Sequence, residues 1–290
     1  MDNKQNIQWF PGHMTRTKRQ IEASLPLIEA VVEIIDARVP ASSRNPDLDT
    51  LVAGKPRIVL MNKADTANEE ATRQWVSFFR CQGITAIPVD CRSGKGLNRF
   101  LPVVREVLKE NIERNIQKGM AGRALRLMVV GIPNVGKSSF INRMTGQNKA
   151  KVADKPGVTR GNQWFTVAKG VEMLDTPGVL WPKFEDQIVG ERLAFTGAVK
   201  DDIMDIESLA MRLIESLREE YPDVLAHRYK TGPLQGVPPY EALELIGRKR
   251  GMLAGRGEID IQRAAVMLLD EFRGGKLGRI TLELPQGEES

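Results

Sequence analysis

The chain has 290 residues, 41% hydrophobic and 27% charged, with a net charge of +5, enough for one α/β domain and a smaller companion. No apolar run reaches bilayer-spanning length, and the polar opening Met1-Asp2-Asn3-Lys4 is unlike a secretory leader. Cys81 and Cys91 form neither a disulfide framework nor a zinc ligand set, so the composition points to a cytoplasmic protein without structural zinc.

In chain order, an aromatic arm, Trp9-Phe10-Pro11-Gly12-His13, precedes a polar, basic stretch from Met14 to Ala23 that reads as a short helix. Ala30 to Asp36 and Arg57 to Met61 are short, β-branched and uninterrupted, the pattern of buried parallel strands. A helix over Glu69 to Cys81 leads to a third strand, Ala86 to Val89. Leu97, Leu101, Val104, Leu108 and Ile112 recur at helical spacing and predict one long helix, with Arg99, Arg105 and Lys109 facing outward. After a glycine-rich joint, Gln117 to Gly122, come a strand at Leu125 to Val130 and a helix from Ser139 to Met144. Gln163 to Val167 and Gly170 to Leu174 read as a hairpin. Beyond Trp181-Pro182 only helices are expected, over Ser208 to Tyr221, Pro239 to Arg250 and Asp260 to Phe272. The pattern predicts an α/β domain over 1–182 with a mostly parallel sheet, then a small all-helical domain over 183–290.

Three motifs carry chemistry. Gly131-Ile132-Pro133-Asn134-Val135-Gly136-Lys137-Ser138 is a complete phosphate-binding loop between a strand and a helix. Its amides, with those of Val135, Gly136 and Ser139, cradle phosphates; Lys137 supplies charge and Ser138 ligates Mg²⁺. Asp175-Thr176-Pro177-Gly178 ends a strand, so Asp175 holds Mg²⁺ through its water ligands and the Gly178 amide meets the γ-phosphate. Asn62-Lys63-Ala64-Asp65 reads as a guanine loop, in which Asp65 accepts two N–H donors from the base. Losing such charged hydrogen bonds costs about 1.5–3 kcal/mol each, enough to reject adenine. Cys91, in Asp90-Cys91-Arg92, is expected to offer its amide to guanine O6, and Thr159 to join Mg²⁺ when the γ-phosphate is present. The guanine loop precedes the phosphate loop, and Asp175 comes last. That order is the Ras-like P-loop GTPase domain entered in the middle, a circularly permuted one.

Val179 stands where Ras-like proteins carry the glutamine that orients water. His13 is a candidate replacement, although its aromatic neighbours read equally well as a staple for the terminus. An Asn134 side-chain oxygen can bind a monovalent cation, or simply face solvent. Charge is uneven: a net of +10 before Lys183 and −5 from there on, with 15 basic and 4 acidic residues between Arg92 and Arg160. A basic stretch around a nucleotide site suggests a polyanionic partner.

The motif order, WFPGHM, and the series GIPNVGKSS, PGVTR and DTPG resemble the RbgA/YlqF family of circularly permuted GTPases over essentially the whole chain. The resemblance implies GTP hydrolysis to GDP in late assembly of the large (50S) ribosomal subunit, with Mg²⁺ and K⁺ as cofactors. It implies Asn134 as the K⁺ ligand, His13 as a catalytic residue, and stimulation by the ribosomal particle. The implied partners are the subunit precursor and its rRNA, met by a monomer with no membrane attachment. The helical domain resembles that family's RNA-binding module, with Arg248, Lys249, Arg250 and Arg256 as phosphate contacts. Two other classes fit less well: a nucleotide-gated RNA-binding protein whose hydrolysis is incidental, and a GTPase of tRNA modification or translation control. A change at Gly178 is further expected to pull on Val179–Trp181 and reorient the helical domain.

Overall fold

The computed structural model describes residues 11–146, 163–176, 186–199 and 205–285, the side chains of 11–17 and 256 excepted. Six strands are β1 (Ala30–Asp36), β2 (Arg57–Asn62), β3 (Thr85–Pro88), β4 (Leu125–Val130), β5 (Gln163–Ala168) and β6 (Val171–Asp175). They form one sheet in the order β3-β2-β1-β4-β6-β5, parallel except for the β5–β6 hairpin at one edge. From β1 the chain winds outward to β2 and β3; from β4 it winds the other way. The winding therefore reverses between β1 and β4, and ligands of doubly wound sheets bind outside the carboxyl ends of the strands at such a point. The first strand of the chain thus lies beside the strand that feeds the phosphate loop, as the permuted reading requires.

Every residue of β1 is buried, which explains its near-continuous apolar sequence. Its charged members are Asp36, at its end, and Glu33, whose carboxylate lies 3.4 Å from both Arg44 and Arg57. Burial still raises its pKa against the pull of those arginines. Helices cover both faces of the sheet: α1 (Pro11–Ser24), α2 (Pro46–Leu51), α3 (Glu69–Cys81), α4 (Phe100–Val107), α5 (Lys109–Gln117) and α6 (Lys137–Thr145). The long helix expected from Leu97 is split. A 3₁₀ turn covers Leu97–Arg99, and Leu108 leaves helical geometry between α4 and α5 while staying buried. The apolar spacing survives because Leu108 and Ile112 keep their backbone bonds to residues four back; periodicity reports the buried face and not the kink. Arg99, Arg105 and Lys109 are exposed, as expected.

After β6 the described elements are helical: α7 (Gln187–Phe195), α8 (Ile206–Glu220), α9 (Val224–Tyr229), α10 (Pro239–Lys249) and α11 (Ile261–Arg273). The short α2, α7 and α9 are not foreseen from periodicity, which needs more than two turns to show; side chains cap two of them, Asn45 accepting from the Asp47 amide and Asp186 from that of Ile188. The apolar core is continuous from the sheet into these helices, and within it Phe195 of α7 meets Phe272 of α11 with ring centroids 6.5 Å apart. The chain then returns to the sheet. Ile280 N donates to the Thr66 carbonyl, Leu282 N to that of Arg38, and the Trp75 indole to that of Glu283. The Glu283 carboxylate is buried against the amides of Ala41 and Ser42.

Phe140 on α6 meets Phe100 on α4 edge to face at 5.1 Å, and both are fully buried. Phe140→Ala is expected to lower unfolding stability by about 3–5 kcal/mol, the usual range for a buried aromatic truncation. Urea unfolding checks this.

Candidate functional site

The phosphate loop occupies the turn between β4 and α6. Gly131 and Gly136 have φ of +151° and +106°, and each backs onto another part of the site. A Cβ at Gly131 would lie 2.5 Å from the Ile34 carbonyl oxygen of β1, and one at Gly136 would strike the Asn62 amide. Only glycine lets the loop pass this close to its neighbours. The loop opens onto the amino end of α6, where unpaired amides favour anions. Ser138 and Ser139, half-buried, stand in the first turn of α6. The buried Lys137 donates to the carbonyls of Gly131 and Ile132 at 2.9 and 2.8 Å, so its ammonium lies in the concavity of its own loop.

Asn62 binds three loops together. Its Nδ2 donates to the Val135 carbonyl at 2.7 Å, and its Oδ1 accepts from the Cys91 amide at 2.9 Å. The expected guanine loop, phosphate loop and Cys91 loop are thus one assembly. The Cys91 amide is engaged by Asn62 and not turned outward, so a base would have to share it. The Cys91 thiol is buried, and desolvation pushes its pKa up to about 12, which leaves it unreactive. Asp65 is exposed beyond this assembly, and Arg143 of α6 donates to the Ser93 carbonyl across it.

Lys63 is one of three non-glycine residues with positive φ among those described, at 60°. Its ammonium pairs with Asp36 at 2.9 Å, and Asp36 accepts from Arg38 Nε and Nη2 at 3.0 and 2.8 Å. Burial alone would raise the Asp36 carboxyl; Arg38 and Lys63 outweigh it and hold it far below the usual range. The sequence reading gives Asp36 and Arg38 no role. The signal was a pair of opposite charges closing a fully buried strand.

Asp175 ends β6, and Thr176 beside it donates to the Val129 carbonyl at 2.7 Å, which fixes that end against β4. Asp175 Oδ1 is buried with no hydrogen-bond partner among the described residues. A carboxylate oxygen left so, close to Lys137 and to the first turn of α6, suits the hydration shell of a hard divalent cation. Burial raises the Asp175 pKa to about 6 against the pull of Lys137, and burial lowers Lys137 to about 8. Asn134, at φ 57°, donates through Nδ2 to the Gly197 carbonyl at 2.7 Å. His13 falls in the first turn of α1, its side chain outside the described residues, as are Thr159, Gly178 and Val179–Trp181. Among the proposed phosphate contacts, Arg248 and Lys249 are exposed at the end of α10. Arg250 is instead committed to Glu271 at 2.9 Å and lies over the Tyr229 ring, because the buried Glu271 needs it there. The Arg256 side chain lies outside the described residues.

Residues 126–227 match a family model described as 50S ribosome-binding GTPase. A Bacillus cereus protein named ribosome biogenesis GTPase A is 45% identical over 97% of this chain and 94% of its own length. A Thermotoga maritima protein of the same name is 32% identical over 97% of this chain and 95% of its own. The solved structure of YlqF from T. maritima bound to GNP has a TM-score of 0.64 and 30% identity, covering 93% of this chain and 99% of that one. A GDP-bound TM YlqF structure has a TM-score of 0.65 and 29% identity, covering 93% and 100%.

A carboxyl whose folded pKa is raised stabilises the fold below its ordinary pKa and loses that contribution as pH rises through the folded value. For Asp175 the window runs from 3.8 to about 6. Without metal or nucleotide, Asp175→Asn should be more stable than the parent by about 1–2 kcal/mol near neutral pH, with the gap closing by about pH 4. Urea unfolding at the two pH values checks this.

Proposed function

The chain belongs to the ribosome biogenesis GTPase A family, and from that membership and the site we propose that it hydrolyses GTP while bound to a precursor of the large ribosomal subunit. It is a GTPase of ribosome biogenesis; the particle it meets, its rRNA contacts and its turnover chemistry are the proposal. The observation that carries the reading is Asn62, whose amide joins the guanine, phosphate and Cys91 loops into one site.

In this reading Asp65 selects guanine, and Lys63 and Cys91 line the base site. The amides of Asn134 to Ser139 bind the phosphates, and Lys137 leaves the carbonyls of its own loop to meet them. Ser138, Thr159 and Asp175 hold Mg²⁺, which when bound offsets the charge on the phosphate oxygens. The partnerless oxygen of Asp175 supports its place in that set. Gly178 contacts the γ-phosphate. Asn134, whose Nδ2 is committed to Gly197, holds K⁺ through Oδ1. With Val179 in place of the water-orienting glutamine, His13 orients the attacking water; an imidazole can do so as base or as hydrogen-bond partner. The helical part contacts rRNA through Arg248 and Lys249. The protein acts as a monomer, and no described helix is long and apolar enough to cross a membrane.

GTP turnover measured in K⁺ and in Na⁺, each with purified 50S or 30S subunits or neither, tests this. Slow basal turnover that rises with 50S only, and in K⁺ only, is expected; indifference to both subunits would remove the ribosomal part of the reading. His13→Ala should lower stimulated turnover by about 10²–10⁴-fold with nucleotide affinity unchanged, measured with a non-hydrolysable GTP analogue.

A further inference from the structure

The ion pair beside the guanine loop belongs to a longer chain of polar contacts that the proposed turnover does not use. Arg38 is 1% exposed, yet all three guanidinium nitrogens are engaged. Nε and Nη2 fork onto Asp36, and Nη1 donates to the carbonyls of Phe272 and Arg273 at 3.0 and 3.2 Å. Those carbonyls end α11, beyond its last intrahelical bonds, and the Phe272 carbonyl also accepts from the Gly275 amide at 3.1 Å. The guanidinium also lies 5.2 Å from the centre of the Phe272 ring. From there the Arg273 side chain reaches the end of α7, donating to the carbonyls of Phe195 and Ala194 at 3.2 and 2.9 Å. Two residues on from Phe195, the Gly197 carbonyl accepts from Asn134 in the phosphate loop.

At the other end, Asp36 holds Lys63. A non-glycine residue in the left-handed region persists only where its surroundings fix it. Here the Asp36 pair holds the Lys63 side chain while the Thr66 amide and hydroxyl donate to its carbonyl at 3.0 Å, and Lys63 lies between Asn62 and Asp65. The returning tail grips the same loop, through Ile280 on the Thr66 carbonyl at 2.9 Å and through Thr281 Oγ1, which accepts from the Asn68 amide at 3.1 Å. The guanine loop and the phosphate loop are therefore tied, from opposite sides, to the ends of α11 and α7.

We propose that Arg38 is a positioning residue that couples guanine-nucleotide binding to the seating of the C-terminal helices, by fixing Asp36 and Lys63 with one edge of its guanidinium and α11 with the other. A nucleotide that orders the two loops then tightens the ends of α11 and α7. By reciprocity, a partner that lifts those helices weakens the nucleotide. The proposal rests on reading Asn62–Asp65 as the guanine loop. A lysine could not take this position, because a single ammonium lacks the planar fork that serves a carboxylate and two carbonyls at once.

The test is amide hydrogen exchange of the full chain with and without GDP and Mg²⁺, alongside GDP affinity. In the parent, GDP should slow exchange over residues 193–198 and 270–283. In Arg38→Gln, GDP affinity should fall about tenfold, and GDP should no longer slow exchange over 270–274, the turn Arg38 holds, and should slow it less over 193–198, where the Asn134–Gly197 contact remains. A purely structural ion pair would loosen both segments equally with and without GDP. The proposal is overturned if the parent helices ignore GDP, or if Arg38→Gln keeps both its affinity and its GDP-dependent protection. Should Arg38→Gln fail to fold, Arg273→Gln decides, since it cuts the link from α11 to α7 and leaves Arg38 in place. Protection by GDP should then weaken at 193–198, where only the Asn134–Gly197 contact remains, and persist over 270–274 and 280–283; an unchanged response at 193–198 overturns the proposal. Asp65→Asn separates the two readings. A shift in preference from GDP to XDP upholds the guanine loop whatever Arg38 does, and continued preference for GDP removes the loop assignment itself.

Discussion

The amide of Asn62 is the contact on which the site depends. An isolated loop of glycines and small residues has no reason to hold one shape against the entropy of the chain. Here the Val135 carbonyl is pinned by Asn62 Nδ2, and the Cys91 amide by Asn62 Oδ1. One side chain, 4% exposed, sets the spacing of three loops from three different strands. A neutral amide suits this task because it donates and accepts at once, which neither a carboxylate nor an ammonium can do. Gly136 is the complement of that contact: the approach works only because position 136 has no Cβ.

The reversal of winding between β1 and β4 explains why a permuted chain keeps this geometry. Loops at the carboxyl ends of adjacent parallel strands converge whichever strand is made first. Permutation changes where the ends of the domain fall, and so what is attached there. In this chain the described residues after β6 are helices, and the last turn of α11 and the segment behind it return to the guanine loop through Arg38, Ile280 and Thr281. In the sequence Asp36 and Phe272 are far apart, yet they meet through one guanidinium.

What could be read from the sequence follows the range of the interactions. The buried strands, the phosphate loop and the order of motifs were legible because β-branched runs and glycine spacing are local signals. The kink at Leu108 was not, since the apolar face runs unbroken through it. The short α2, α7 and α9 offer too few turns for a period to show. Asp36 and Arg38 escaped notice for a different reason: opposite charges two residues apart in a chain with 42 basic and 37 acidic residues carry no weight until burial is known. Arg250 shows the converse error. It looked like part of a basic run, but the buried carboxylate of Glu271, invisible in the sequence, claims it.

Charge distribution links these parts. Lys137 and Asp175 are both buried near one another, and burial disfavours the charged form of each. In the proposed reading, phosphate beside Lys137 and a divalent cation beside Asp175 would offset that cost, and ligand binding would stabilise the fold. The helical part carries a net of −5 beyond Lys183, and Arg228 and Arg250 are neutralised by Glu271. Among the exposed basic side chains, Arg99, Arg105 and Lys109 lie on the α4–α5 side and Lys249 at the end of α10, where Arg248 pairs with Glu244 at 2.9 Å. A polyanion that engaged both would sense their separation, and α10 is held by its packing on α8 and α11. Electrostatics alone would give non-specific attraction. In the proposed reading, a spacing between basic groups set by helices that also touch the loops of the site would let such attraction depend on the nucleotide.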